Sequence, residues 1–252
     1  MTPKKTAAIA KVEPTAAHPW FTPEAIDFLR KLKRNNRREW FEARRDVYER
    51  ELKQPMLALI ERLLKGMMDY APDHLRSPQK CMLRIYRDIR FSADKSPYKT
   101  QVAAWWAHHG APKTSGSGYY LHLSATDLVI AAGVYMPPPD QLYAIRNHLL
   151  THHQEFARLL DGKRLHAKFE IHDANPLTRP PKGFAADHPA IEWIKWRQWG
   201  FIATLPASEA LKPTLPALVE ERFRLAAPLV DFLNEPVMRA AGVRKKPLFG
   251  LY

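Results

Sequence analysis

Between Lys80 and Thr100 the chain places Arg84, Arg87, Arg90, Lys95 and Lys99 within sixteen residues and sets only Asp88 and Asp94 against them, with Tyr86, Phe91 and Tyr98 interleaved. Guanidinium groups present a planar fork of N–H donors that matches phosphate or carboxylate, so this density of cations suits an oxyanion. Asp88 lies among positive charges, which lower a carboxyl pKa; its expected work is to orient an arginine, not to accept a proton. Tyr98, beside Lys95 and Lys99, is a candidate acid or phosphate donor. The candidate ligand set is therefore Arg84, Arg87, Asp88, Arg90, Lys95, Tyr98 and Lys99, with no catalytic role and no cofactor assigned. An enzyme built on these residues would stabilise developing negative charge more than abstract protons. The expected partner is a phosphate-bearing small molecule or nucleic acid.

Two other readings compete. The same arginines and Asp88 can form a structural ion-pair network using Glu39, Glu42 or Asp46. Alternatively, the stretch from Arg30 to Lys53, with ten basic and five acidic residues, can join the motif in a non-catalytic nucleic-acid or protein interaction module; its plainer reading is a solvated helix face. Composition narrows the field only in part. A formal charge of +13, from 39 Lys and Arg against 26 Asp and Glu, favours anionic partners. The single cysteine, Cys81, excludes an intrachain disulfide and fits a reducing, cytoplasmic setting. No apolar run approaches the roughly 18 residues of a membrane span. His148, His152 and Glu155 have a spacing that can ligate zinc, but surface histidines reach it by chance and no metal is assigned. The chain shows no phosphate-loop, nucleophile-elbow or dinucleotide-fold glycine pattern.

The elements that must position the motif follow from periodicity. Thr22-Pro23-Glu24 predicts a helix start, and Ile26, Leu29 and Leu32 give it an apolar stripe as far as Lys33 to Asn35. A second, longer helix is expected from Asn36, with Glu39 completing a capping box, and Pro55 should kink or split it before Met56 to Met68. Leu83, Ile85, Ile89 and Phe91 alternate with Arg84, Tyr86, Asp88 and Arg90, which predicts a strand through the motif. Arg87 would then face the apolar side and need a carboxylate, carbonyls or a bulge. Further strands are expected over Tyr98–Ala107, over a hairpin of Tyr119–Ser124 and Leu128–Tyr135, over Arg164–Ile171 and over Trp199–Thr204. Helices are expected from Asp140 through Leu149, on through Leu160, at Ile191–Lys195 and from Pro216 to the end, with a long loop at Asn175–Pro189. The expectation is an α+β fold, a central mainly antiparallel sheet flanked by N-terminal and C-terminal helices. Residues 1–19 read as a disordered tail, 20–240 as a single domain and 241–252 as a basic tail.

Arg84-x-x-Arg87-Asp88-x-Arg90-Phe91, followed by Asp94-Lys95-x-x-Tyr98, resembles with one shift the signature of the family catalogued as domain of unknown function 2461. Trp40-Phe41 with Tyr48, Gly133-x-Tyr135-x-Pro137, and Pro181-Lys182-Gly183-Phe184 with Asp187-His188-Pro189 extend the likeness over roughly residues 21–232. The resemblance implies relatedness and leaves the activity open.

Overall fold

The computed structural model of the protein describes residues 20–110, 116–172 and 174–242; residues 1–19, the expected N-terminal tail, and 243–252, all but the first two residues of the expected 241–252 tail, lie outside them. The first helix, α1 (Pro23–Arg34), begins as its sequence dictates, with the Thr22 hydroxyl accepting from the Ala25 N–H at 3.3 Å and Pro23 in the first turn. It buries Ile26, Phe28, Leu29 and Leu32. The expected second helix is instead broken into α2 (Arg38–Glu42), α3 (Arg45–Tyr48), a π-helical turn at Glu49–Lys53 and α4 (Gln54–Tyr70). Pro55 is the physical reason for the π turn. It has no N–H and its ring crowds the carbonyl four residues back, so the regular ladder loosens there: the Gln54 N–H bonds the Glu49 carbonyl five residues back, and α4 follows with Pro55 in its first turn. Asn36 caps nothing here; α2 starts after Arg37.

The centre is a five-stranded, wholly antiparallel sheet: β1 (Gln101–Ala107), β2 (Gly118–Ser124), β3 (Asp127–Val134), β4 (Glu170–Ile171) and β5 (Trp199–Pro206), in the order β1-β2-β3-β5-β4. The expected hairpin is present almost residue for residue. The strand expected over Arg164–Ile171 is not: a short helix, α7 (Lys163–His166), takes its first half and only Glu170–Ile171 pair with β5. The two helices expected from Asp140 to Leu160 form one, α6 (Pro139–Leu160), kinked at His152. α5 (Pro78–Cys81) and α8 (Ile191–Ile194) are single turns. The last helix, α9 (Leu215–Ala240), contains both Pro228 and Pro236.

Period-two alternation divides the sheet into a helix face and an open face. On the helix face Trp106, Tyr119, Leu121, Ile130, Trp199 and Phe201 are fully buried against α9, which is itself packed between α4 and α6. Phe223 is the keystone of this contact, its ring 5.3 Å from Trp106 and 4.9 Å from Tyr119. One contiguous cluster of buried side chains joins Trp20 to Met238. No helix among the described residues is long and apolar enough to cross a membrane.

Candidate functional site

The motif lies along the outer edge of β1. Leu83 donates its N–H to the Ala103 carbonyl (2.9 Å), Lys99 to Ile85 (2.7 Å) and Arg87 to Pro97 (2.9 Å). These bonds do not make the strand expected over Leu83–Phe91. Only two isolated bridges form, Met82 with Ala104 and Tyr86 with Tyr98, and between them the β1 side carries two more residues than the motif side. The cause lies just downstream, where the two aspartates compete for the backbone. Asp88 Oδ1 accepts the Arg90 N–H (3.3 Å) and Asp94 Oδ1 accepts the Ser96 N–H (2.9 Å), so each bends the chain into a turn.

The resulting loop, residues 88–97, is tied together by the motif's own charges. Arg87 holds the Asp94 carboxylate, the Ser96 carbonyl (3.3 Å) and the Ser92 hydroxyl (3.3 Å). Arg90 grips Asp88 through two N–H groups at 3.0 and 2.8 Å, and Lys95 donates to the Ile89 carbonyl (3.1 Å). The expected ion pairs therefore exist, but with partners inside the motif, while Glu42 pairs with Arg45. Arg87 meets its need for a carboxylate through Asp94 while remaining partly exposed. Side-chain hydrogen bonds from Arg90 first, and from Ser96 and then Arg87, hold Asp88 and Asp94 respectively at about 2. At neutral pH neither is a base. Phe91 projects from the loop, 94% exposed, with the Arg90 guanidinium over its ring.

Beneath the loop an aromatic cluster fixes where the next residues stand. Tyr98 is buried and stacks on Phe41 with ring centres 4.1 Å apart; Tyr86 and Tyr48 complete the group. Burial first, then Glu42, raises the Tyr98 phenol above its ordinary value, so it stays protonated at neutral pH. Asn36 clasps the same residue: its amide donates to the Tyr98 carbonyl (2.9 Å) and accepts the Tyr98 N–H (3.1 Å), a side-chain imitation of strand pairing. With Tyr98 locked, Lys99 and Thr100 are delivered to one place.

That place is a polar cleft of ≈ 630 Å³, lined by Lys33, Asn36, Arg87, Asp88, Asp94, Ser96, Tyr98, Lys99, Thr100 and Gln101. Of the expected ligand set it gathers Arg87, Asp88, Tyr98 and Lys99. Arg84, Arg90 and Lys95 are exposed and do not line it. Lys99 is half-buried, and burial, followed by the charge of Arg84, lowers its pKa below the ordinary lysine value. Among the described residues no carboxylate stands within ion-pair range of Lys99, Lys33 or Arg84, whereas both acids of the cleft are taken up by Arg87 and Arg90. Lys33, Asn36, Ser96 and Thr100 were not in the expected set. The Asn35-Asn36 pair directly after an apolar helical stripe was the available signal for a residue that binds backbone.

The family model described as Conserved hypothetical protein (DUF2461) matches residues 24–232. The chain belongs to the DUF2461 family. No curated protein matches it. In this DUF2461 chain half of the ten basic residues in Arg30–Lys53 are held in ion pairs: Arg30 and Lys31 pair with Asp27, Arg45 with Glu42, Arg50 with Glu24 and Glu51, and Lys53 with Glu49. His148 and His152 stack with ring centres 4.0 Å apart, and among the described residues no three His, Cys, Asp or Glu side chains converge as a metal set. Cys81 is buried and its thiol is pushed up to about 11 by burial, so it is not a nucleophile at neutral pH.

Proposed function

We propose that this DUF2461 chain binds a phosphate-bearing ligand, as a nucleotide, a sugar phosphate or a nucleic-acid backbone, in the cleft between Lys33 and Lys99. The observation that supports this reading is the state of Lys99: half-buried, beside Arg84, with no carboxylate against it, while Asp88 and Asp94 are each engaged by an arginine. A partly desolvated ammonium group without a counter-ion gains most from an incoming anion. In this reading Arg87, Asp94 and Ser96 shape the wall, Lys99 and Lys33 supply charge, Thr100 and Asn36 supply hydrogen bonds, and Arg84 adds to the local field. Arg90, Asp88 and Lys95 act on the loop and not on the ligand. A reaction catalysed here would rest on stabilising negative charge, since neither aspartate can accept a proton at neutral pH.

The test is calorimetry with inorganic pyrophosphate, preceded by a thermal-shift panel of nucleotides and sugar phosphates. Lys99→Met is expected to weaken binding by about tenfold, the scale of one charge-assisted hydrogen bond, and Arg84→Ala by less. A wild-type protein that responds to no phosphate compound would refute the proposal. Binding to DNA or RNA that falls steeply with salt would place the nucleic-acid backbone ahead of small molecules.

The hydrogen bonds from Arg87 to Asp94, Ser96 and Ser92 favour a second reading, in which the motif only staples the loop. The pair is largely exposed on the aspartate side, so Arg87→Ala should cost only about 0–1 kcal/mol of global stability. Its expected mark is faster tryptic cleavage after Arg90 and Lys95. Global unfolding of Arg87→Ala would instead favour the staple.

A further inference from the structure

The open face of the sheet carries a second cleft, remote in character from the motif. Register sets four small residues side by side across it: Ala107, Gly118, Gly133 and Gly200. The next rung is Trp105, Tyr120, Ala131 and Ile202. Two of the glycines are seats for side chains from adjacent segments of the sheet. A Cβ on Gly118 would come within 2.8 Å of the Trp105 indole, and a Cβ on Gly200 would lie 3.2 Å from the Cβ of His172. Trp105 therefore lies down over β2 and His172 over β5, while between them Gly133 and Ala131 leave the β3 floor low. Neighbouring strands are about 4.8 Å apart, so the two walls stand about 10 Å apart at their bases. Tyr135 continues the far wall, 6.1 Å from the His172 ring and 61% exposed. The cleft measures ≈ 580 Å³, within the range of about 300–1,000 Å³ for small-molecule sites.

Among the described residues its charged groups are few and of one sign. Tyr120 and His122 form a pair on the β2 side, phenol to Nδ1 3.1 Å, and burial holds His122 below its ordinary pKa and Tyr120 above, so both are neutral at pH 7. Arg76 and Lys80 line the β1 end, and among the described residues no Asp or Glu lines the cleft. Arg76 donates to the His108 carbonyl (2.7 Å), whereas Lys80 is exposed and has no carboxylate in ion-pair range among the described residues. Glu170 does not line the cleft, but it pairs with the lining residue Ile202 and so stands on the open face just beyond the β5 wall, at the end away from Lys80. A low floor between ring walls admits a flat body, and the exposed ammonium group of Lys80 at its end attracts a negative group.

We infer that the open sheet face is a binding site for a small aromatic acid, its ring lying over Ala131 and Gly133 between Trp105 and His172, its anionic group toward Lys80. This site is separate from the phosphate cleft and does not depend on it. The probes are 8-anilinonaphthalene-1-sulfonate, a flat aromatic sulfonate, and the uncharged N-phenyl-1-naphthylamine, titrated by fluorescence into the full-length folded protein. Saturable one-to-one binding of both is expected, with the sulfonate bound more tightly. Ala131→Phe, which fills the floor, should weaken both by at least tenfold. Tyr135→Ala, at an exposed position that does not threaten folding, should weaken both about threefold. Lys80→Glu should weaken the sulfonate by about tenfold and spare the neutral probe. Saturating pyrophosphate should displace neither. Failure of the sulfonate to bind, indifference to both Ala131→Phe and Tyr135→Ala, an equal effect of Lys80→Glu on the two probes, or displacement by pyrophosphate would each overturn the inference. So would a dimer in light scattering that Ala131→Phe dissolves, since the face would then belong to a second copy.

Discussion

Replacing Gly133 with alanine is expected to destabilise the protein by about 2–6 kcal/mol, a large part of the roughly 5–15 kcal/mol that holds a domain together. Two effects add. Gly133 sits at φ +119°, where an L side chain is strained, and an ideal Cβ there would stand 2.0 Å from the carbonyl oxygen of Trp199. That oxygen belongs to the backbone of β5, paired with β3 along its whole length, so it cannot retreat without opening the central ladder. Gly200→Ala in the same rung is the internal control. Its Cβ would meet only the His172 side chain at 3.2 Å, and its backbone is ordinary, so it should cost far less. Urea denaturation of the two variants measures the difference. A Gly133→Ala protein within 1 kcal/mol of wild type, by the same linear extrapolation, would contradict the β3–β5 register.

Acid is expected to weaken the fold well before the carboxylates titrate, and His74 is the main reason. Its ring is 1% exposed, edge-on to His108 and Tyr119, and burial pushes its pKa down to about 4. Nε2 faces the Ser117 carbonyl at 3.2 Å, which calls for the neutral Nε2–H tautomer and leaves Nδ1 without a partner. Asn234 of α9 locks the same carbonyl (3.0 Å) and the Ser117 N–H (2.7 Å), so protonating His74 strains the joint between β2 and α9. The folded pKa lies below the ordinary 6.5, so the unfolded chain binds the proton first. Stability from this group is complete above about pH 6.5 and is lost as pH falls toward 4, by about 3 kcal/mol in all. His148, buried against Phe232, is also held near 4 and acts in the same direction. Asp88 and Asp94 also lose their contribution as pH falls, but between 3.8 and about 2. Unfolding free energies measured from pH 7.5 to 4.5 should fall steadily, and His74→Gln should flatten the slope even as it lowers the plateau. A flat wild-type profile over that range would contradict a buried neutral His74.

The parts of the fold legible in the sequence are those where one local signal acts alone. Thr22-Pro23 starts α1 because cap and proline agree, and the β2–β3 hairpin follows from clean alternation on both sides of Ala125-Thr126. Alternation through the motif predicts a strand, but two aspartates bind nearby backbone N–H groups and turn the chain. The expected second helix breaks at Arg44, whose backbone leaves the helical region eleven residues before the proline, while Pro55 marks only a π turn in an otherwise continuous helix. At the candidate site, the cationic segment was visible and its internal pairing was not, because sequence spacing does not say which arginine reaches which aspartate. Lys33 and Asn36 joined the site through a contact spanning 62 positions, beyond any local pattern. The second cleft left one trace, glycines inside strands, which mark close approach of other groups; only the register shows Gly118, Gly133 and Gly200 side by side.

The central claim is that Lys99 awaits an external anion, and nuclear magnetic resonance of the Lys99 side chain tests it most directly. Lysine ¹³Cε shifts, assigned by Lys99→Met and followed against pH, should show Lys99 titrating below the ordinary 10.5 in the free protein and moving upward when pyrophosphate is added. A Lys99 whose titration is the same with and without saturating pyrophosphate would contradict the account.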